Sequence, residues 1–151
     1  MIVSFFGHAS FCKREEYEQK ILALLEELVG DKTADFYLGG YGAFDAFALD
    51  CCRKYKSAHP NVTLVFVTPY LSVSYQQNNL RYRQINYDII AYPDIENKPL
   101  KFAITYRNYW MVDKADYIIF YIDRRWGGAY QAYTYAKKNN KNIFNLFAAE
   151  T

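Results

Sequence analysis

Apolar positions along this chain follow two periods that take turns. Short runs of β-branched and aromatic residues, Ile2 to Phe6, Phe36 to Leu38, Thr63 to Thr68, Asp88 to Tyr92, Tyr117 to Ile122 and Asn142 to Leu146, read as strands. Between most of them the spacing lengthens to that of a helix. Lys13 to Val29 puts Tyr17, Ile21, Leu24, Leu25 and Leu28 three and four residues apart, and Gly30 stops the run. Ala43 to Tyr55, Leu100 to Lys114 and Ala129 to Asn139 are the other helices expected. The order is βαβαβ, a long loop, then βαβαβ, which predicts a Rossmann-like three-layer α/β/α sandwich with a mainly parallel sheet. No repeat, low-complexity tract or linker divides residues 1–151, so a single domain is expected. The one irregular piece is "YLSVSYQQNNLRYRQINY", Tyr70 to Tyr87, polar and longer than a usual connection. Such a loop serves as a lid or is a plain surface excursion.

In an open parallel sheet the ligand crevice lies beyond the carboxyl ends of the strands, where helix N-termini point free N–H groups outward. Three strands end in sequence suited to that place: Gly7-His8 after "IVSFF", then "GGYGAFD", then "DRRWGGAYQAY", in which Gly127 and Gly128 open a helix. Glycine takes positive φ and lets an anion approach the backbone, although it also serves ordinary tight turns and close strand–helix packing. Phe44 and Asp45 head the helix that follows Gly39, Gly40 and Gly42. Asp45 either complements the helix dipole, worth about 0.3–1 kcal/mol, or accepts hydrogen bonds from a ribose. His8 either meets a phosphate or base edge or is hydrogen-bonded to a neighbouring group. His59, before Pro60 in a polar turn, reads as surface. No spacing of His, Cys, Asp or Glu suggests a metal site, no Ser or Cys stands beside an evident base, and no cofactor is called for.

Composition trims the remaining classes. A chain of 151 residues buries roughly 70% of its unfolded surface, enough for one core without staples. Eighteen Lys and Arg against sixteen Asp and Glu give +2, scattered except at Arg53-Lys54, Arg124-Arg125 and Lys137-Lys138, which is no strong nucleic-acid signal. Cys12, Cys51 and Cys52 are odd in number and form no CxxC, which fits a reducing cytosol. The opening "MIVSFFGHAS" lacks a basic region before its short apolar run, and no run reaches a membrane span, so a cytoplasmic protein with no membrane partner is expected.

The most specific stretch is "RNYWMVDKADYIIFYIDRRWGGAYQAYTYAKKNNKNIFNL", Arg107 to Leu146. It resembles the SLOG superfamily, the Rossmann-like group that includes the LOG phosphoribohydrolases, the Smf/DprA proteins and the YpsA-like proteins. Arg107, Asn108, Met111, Ala115-Asp116 and Gly127-Gly128-Ala129 match its pattern in order and spacing, and "FFGH" with "FYLGGYGAFDAFAL" looks like the YpsA-like branch. The resemblance covers nearly the whole chain. It implies a pocket for a nucleotide or nucleotide derivative, with phosphate at the Gly turns; in a binding role Arg107 is expected there as a charge clamp and Asp45 at a ribose. Arg107 matches an active-site arginine of the LOG enzymes, which carry glutamates just after the second turn. Here that place reads Tyr130-Gln131-Ala132. Hydrolysis of an N-glycosidic bond wants a carboxylate to orient water and balance a cationic sugar, and Gln131 cannot bear the charge.

A binding or sensing role is therefore expected ahead of catalysis, with Arg107 and Asp45 as the catalytic candidates if the chain is a nucleoside 5′-monophosphate N-glycosidase. Asp113 and Asp116 are other carboxylates within reach in sequence, each with a structural alternative. A third reading is a homo-oligomeric interaction protein that uses Tyr130, Tyr133 and Tyr135 as an assembly face.

Overall fold

The computed structural model describes residues 1–69, 81–95 and 97–147. Among the described residues six strands form one sheet in the order β4-β3-β2-β1-β5-β6, where β1 is Ile2–Gly7, β2 Ala34–Leu38, β3 Val62–Val67, β4 Ile89–Ala91, β5 Tyr117–Tyr121 and β6 Asn142–Asn145. Every neighbouring pair is parallel. The helices are α1 Glu15–Leu28, α2 Ala43–Ala58, α3 Arg81–Asn86, α4 Ala103–Lys114, entered through a 3-10 turn at Leu100–Phe102, and α5 Gly128–Lys138. The expected Rossmann-like α/β architecture is thus the one observed. Of the irregular segment Tyr70 to Tyr87, residues 70–80 lie outside the described residues, and its end forms α3. The edge strands β4 and β6 are shorter than their apolar patterns suggested.

Alternating side chains sort the core into two layers, as the pleat of a strand dictates. Val3, Phe5, Phe36, Leu38, Phe66 and Ile119 pack with Ile21 and Leu25 of α1 and Phe44, Ala48, Cys52 and Tyr55 of α2. Phe6, Val65, Val67, Ile118 and Phe120 pack with Met111 and Val112 of α4 and Ala132 and Ala136 of α5 on the other face. Both faces of β1 and β5 are covered, which is why those strands read as unbroken apolar runs. Ser4 is the polar exception in β1, and its hydroxyl donates to the Met111 carbonyl at 3.0 Å.

Strand order reverses between β1 and β5: successive crossovers run from β1 toward β4 on one side, then return to β5 and β6 on the other. The chain leaves β1 and β5 in opposite directions there, so a crevice opens beyond their carboxyl ends. Asp116, just before β5, accepts the Ile2 N–H at 2.8 Å at the opposite end of the sheet. Among the described residues no helix is long and apolar enough to cross a membrane.

Candidate functional site

The crevice at the reversal encloses about 120 Å³. Its walls come from four segments: Phe5, Phe6, Gly7 and Ala9 at the end of β1, Gly39, Tyr41 and Asp45 at the turn into α2, Ile104, Arg107 and Asn108 on α4, and Gly128 and Ala129 opening α5. Gly7, Gly39, Asp45, Arg107, Asn108, Gly128 and Ala129 were expected from the sequence and are brought together. His8, Gly40, Gly42, Phe44 and Gly127 stand behind or beside this lining.

Most of the glycines are explained by packing. A Cβ on Gly7 would lie 2.1 Å from Cγ of Phe44, which is fully buried between α2 and the sheet, so this glycine lets α2 press against β1. A Cβ on Gly39 would lie 2.8 Å from Cζ of Arg107. Gly40 has φ +65° and Gly42, the N-cap of α2, has φ +91°, with the Ala9 backbone 2.5 Å from where a Gly42 Cβ would stand. The Ala43 N–H donates to the Ala9 carbonyl at 2.9 Å, tying the second glycine turn to the loop after β1. At α5 the situation differs. Gly127 needs its φ of +96°, but Gly128 has no positive φ, and a Cβ at either residue would enter open space.

Arg107 is only 3% exposed. Its Nη1 donates to the carbonyls of Gly39 at 2.9 Å and Val67 at 3.0 Å, and its Nε to Oδ1 of Asn108 at 2.8 Å. One guanidinium therefore holds together the carboxyl ends of β2 and β3, where the sequence had suggested a clamp on ligand.

Asp45 is 7% exposed, in the first turn of α2. Its Oδ2 accepts the Tyr41 N–H at 2.8 Å, which fixes the glycine turn. Its Oδ1 accepts no hydrogen bond from the described residues, and Asp45 lines the crevice. Burial pushes the carboxyl up to about 6, against the Tyr41 hydrogen bond and the charges of Arg107 and Arg83, which favour the anion.

His8 is turned to the β5 side. Its Nε2 accepts the Asp123 N–H at 3.3 Å and lies 3.4 Å from Oδ1 of the same residue. Burial, then the nearby Arg124 charge, hold its pKa below the ordinary value, with Asp123 opposing them. A neutral ring suits a nitrogen that accepts a hydrogen bond.

The remaining polar candidates are elsewhere. Gln131 lies in a surface groove between α4 and α5 with Phe102, Thr105, Tyr109 and Tyr135, and Ala132 is buried in the core. Neither faces the crevice. Asp113 accepts the Tyr135 hydroxyl at 2.7 Å on the outer face of the helices. Asp45 is thus the one carboxylate in the crevice among the described residues. The tyrosines offered as an assembly face are engaged within the chain, Tyr135 stacked on Tyr109 at 4.2 Å and Tyr133 edge-on to Phe120 at 5.2 Å.

Sequence reasoning missed Tyr41, Ile104, Ala9, Phe5 and Phe6. Tyr41 and Ile104 are 63% and 38% exposed at the mouth of the crevice. For Tyr41 the signal was its place inside "GGYG"; an apolar residue such as Ile104 at helical spacing reads only as core.

The chain matches no family model and no curated protein sequence. Solved structures do match in fold. DNA processing protein A (DprA) from Helicobacter pylori, a structure describing a single-stranded DNA binding mode, superposes with a TM-score of 0.60 at 18% identity, over 96% of this chain and 64% of that one. DprA from Streptococcus pneumoniae gives 0.65 at 14% identity, over 95% and 49%, and the protein TM1055 gives 0.58 at 13%, over 94% and 71%. The chain spans about half to two thirds of the length of the DprA structures. The Rossmann-like α/β fold expected from the sequence is accordingly one that this chain shares with these solved structures.

Proposed function

We propose that the chain binds a nucleotide or nucleotide derivative in this crevice, with a phosphate at the N-terminus of α5. One observation carries the reading. Gly128 lines the crevice as the first residue of an eleven-residue helix, has no packing neighbour that a Cβ would strike and no backbone conformation that demands glycine. Such a glycine gains its place by letting an anion reach backbone N–H groups. The space is below the about 300–1,000 Å³ of pockets that enclose a whole drug-sized ligand, so a sugar phosphate sits inside and the base stays at the mouth. Tyr41 and Ile104 offer it an apolar bed there.

Gly128→Val tests this reading. Free energies of urea unfolding should stay within about 0.5 kcal/mol of wild type, because the side chain meets nothing. The thermal shift given by nucleoside monophosphates or ADP-ribose should vanish. Ligand at about 100 times its dissociation constant adds roughly 2.7 kcal/mol to the native state, so the shift is large enough to lose. A folded Gly128→Val protein that keeps its full shift would remove the α5 site. Gly40→Val and Gly42→Val are unsuited to this test, since both place a branched residue at positive φ and should unfold the turn.

A second reading, single-stranded DNA, draws on the H. pylori DprA match and on two exposed rings at the same edge of the sheet, Tyr41 and the 68% exposed Trp126 beside Arg125. Base stacking on such rings is sequence-tolerant and strongly salt-dependent. Labelled oligothymidylate separates the two: anisotropy that rises with DNA and is indifferent to Gly128→Val favours the strand over the free nucleotide. Release of free base from a nucleoside monophosphate would instead mark an N-glycosidase, whose carboxylate would have to be Asp45. By "FFGH" and "FYLGGYGAFDAFAL" we place the chain in the YpsA-like branch, as one cytoplasmic domain.

A further inference from the structure

We infer that the crevice selects ribonucleotides over deoxyribonucleotides, and that Asp45 is the residue that makes the choice by accepting hydrogen bonds from the 2′- and 3′-hydroxyls. The inference rests on the nucleotide reading above and adds the sugar to it.

Asp45 carries the argument through its unequal oxygens. Oδ2 is committed to the Tyr41 N–H, while Oδ1, on a side chain that lines the crevice, takes no donor from the described residues. In the Arg107 guanidinium, Nη1 and Nε donate elsewhere, to the Gly39 and Val67 carbonyls and to Asn108. A carboxylate so nearly withdrawn from water needs donors, and each oxygen can accept two hydrogen bonds. The remaining walls limit what can bring them. The open backbone at Gly128 takes an anion, and the mouth between Tyr41 and Ile104 takes an apolar plane. The piece between a phosphate and a base is a sugar. A cis-diol presents two adjacent hydroxyl donors to one carboxylate, and 2′-deoxyribose presents one fewer. Leaving a buried charged acceptor short of a donor costs far more than a neutral one, so a difference of about ten- to a hundred-fold in affinity is expected.

The test uses the full chain, freed of carried ligand, and isothermal titration at pH 8 with AMP, GMP, CMP and UMP and their 2′-deoxy counterparts. Wild type should bind at least one ribonucleotide about ten- to a hundred-fold more tightly than its deoxy form. Asp45→Asn should bind the two forms of that nucleotide within about two-fold of each other, by loss on the ribose side. Equal binding of both forms by wild type overturns the inference and leaves the pocket standing. An unchanged ratio in a folded Asp45→Asn protein also overturns it, since Asp45 would then serve only the Tyr41 turn. Absence of binding by all eight nucleotides at millimolar concentration sinks the pocket reading, and the inference with it.

Discussion

Arg107→Ala should destabilise the protein by about 3–5 kcal/mol, the range found when one partner of a buried charged network is removed. The guanidinium is the shared donor for two carbonyls on neighbouring strands, Gly39 and Val67, and it occupies the space that the missing Cβ of Gly39 leaves open. Alanine leaves those acceptors facing a cavity, and it withdraws positive charge from beside the buried Asp45. Arg107→Lys should recover part of the loss, because a single ammonium keeps the charge but cannot match the planar fork. Urea unfolding of the three proteins, read at constant m-value, gives the comparison. A loss below about 1 kcal/mol for alanine would mean that the guanidinium is not a strut. The consequence for ligand work is direct. Weaker binding in Arg107→Ala reports a loosened crevice as much as a lost contact, so the arginine that looked most like a ligand clamp is a poor probe of the ligand.

Asp45→Asn should act in the opposite direction, and only away from acid. The carboxyl titrates at 3.8 when free and at about 6 in the folded chain. Between those values the native state holds a proton that the unfolded state has released, so the contribution of this group to stability is present in full below pH 3.8 and is lost as pH rises through 6. Above that, wild type carries a penalty of up to about 3 kcal/mol that asparagine does not, while the amide oxygen can still accept the Tyr41 N–H. The two proteins should therefore have equal unfolding free energies near pH 4, and the variant should be the more stable at pH 8. Parallel stability curves across this range would show that Asp45 is not held in the buried state described.

The fold was more legible than the site. Strands β1, β3 and β5 lie between helices on both faces, so their sequences are dominated by apolar residues, broken only by Ser4 and Thr63, and the helical spacing of Tyr17, Ile21 and Leu25 is the imprint of one buried face. Edges were harder. Ile89 is half exposed in β4, and nothing in "DIIAY" distinguishes an edge strand from a covered one. In the crevice, residue type revealed the positions but not their duties. Gly7, Gly40 and Gly128 look alike in a sequence, yet one avoids Phe44, one holds positive φ and one faces open space. That difference belongs to neighbours far along the chain, which no local window contains. Gln131 shows the converse: two positions past Ala129 on α5, the helix has turned it out of the crevice and into the groove beside Tyr109. The sparse positive charge argued against nucleic acid, while the DprA matches bring single-stranded DNA back as a reading to be tested.

The pairing of β1 with β5 sets the order in which the protein can acquire its crevice. Val3 lies opposite Tyr117, so the two strands that flank the cleft meet only after residues 4–116 have been gathered between them. Closing that distance is entropically costly and delays such contacts in folding. A chain in which only residues up to α2 had folded would have the Gly39–Gly42 turn, but no opposing wall from α4 and α5. A ligand of the proposed kind would have nothing to hold until the last strands dock, and would act by slowing escape from the native state while leaving the rate of arrival unchanged.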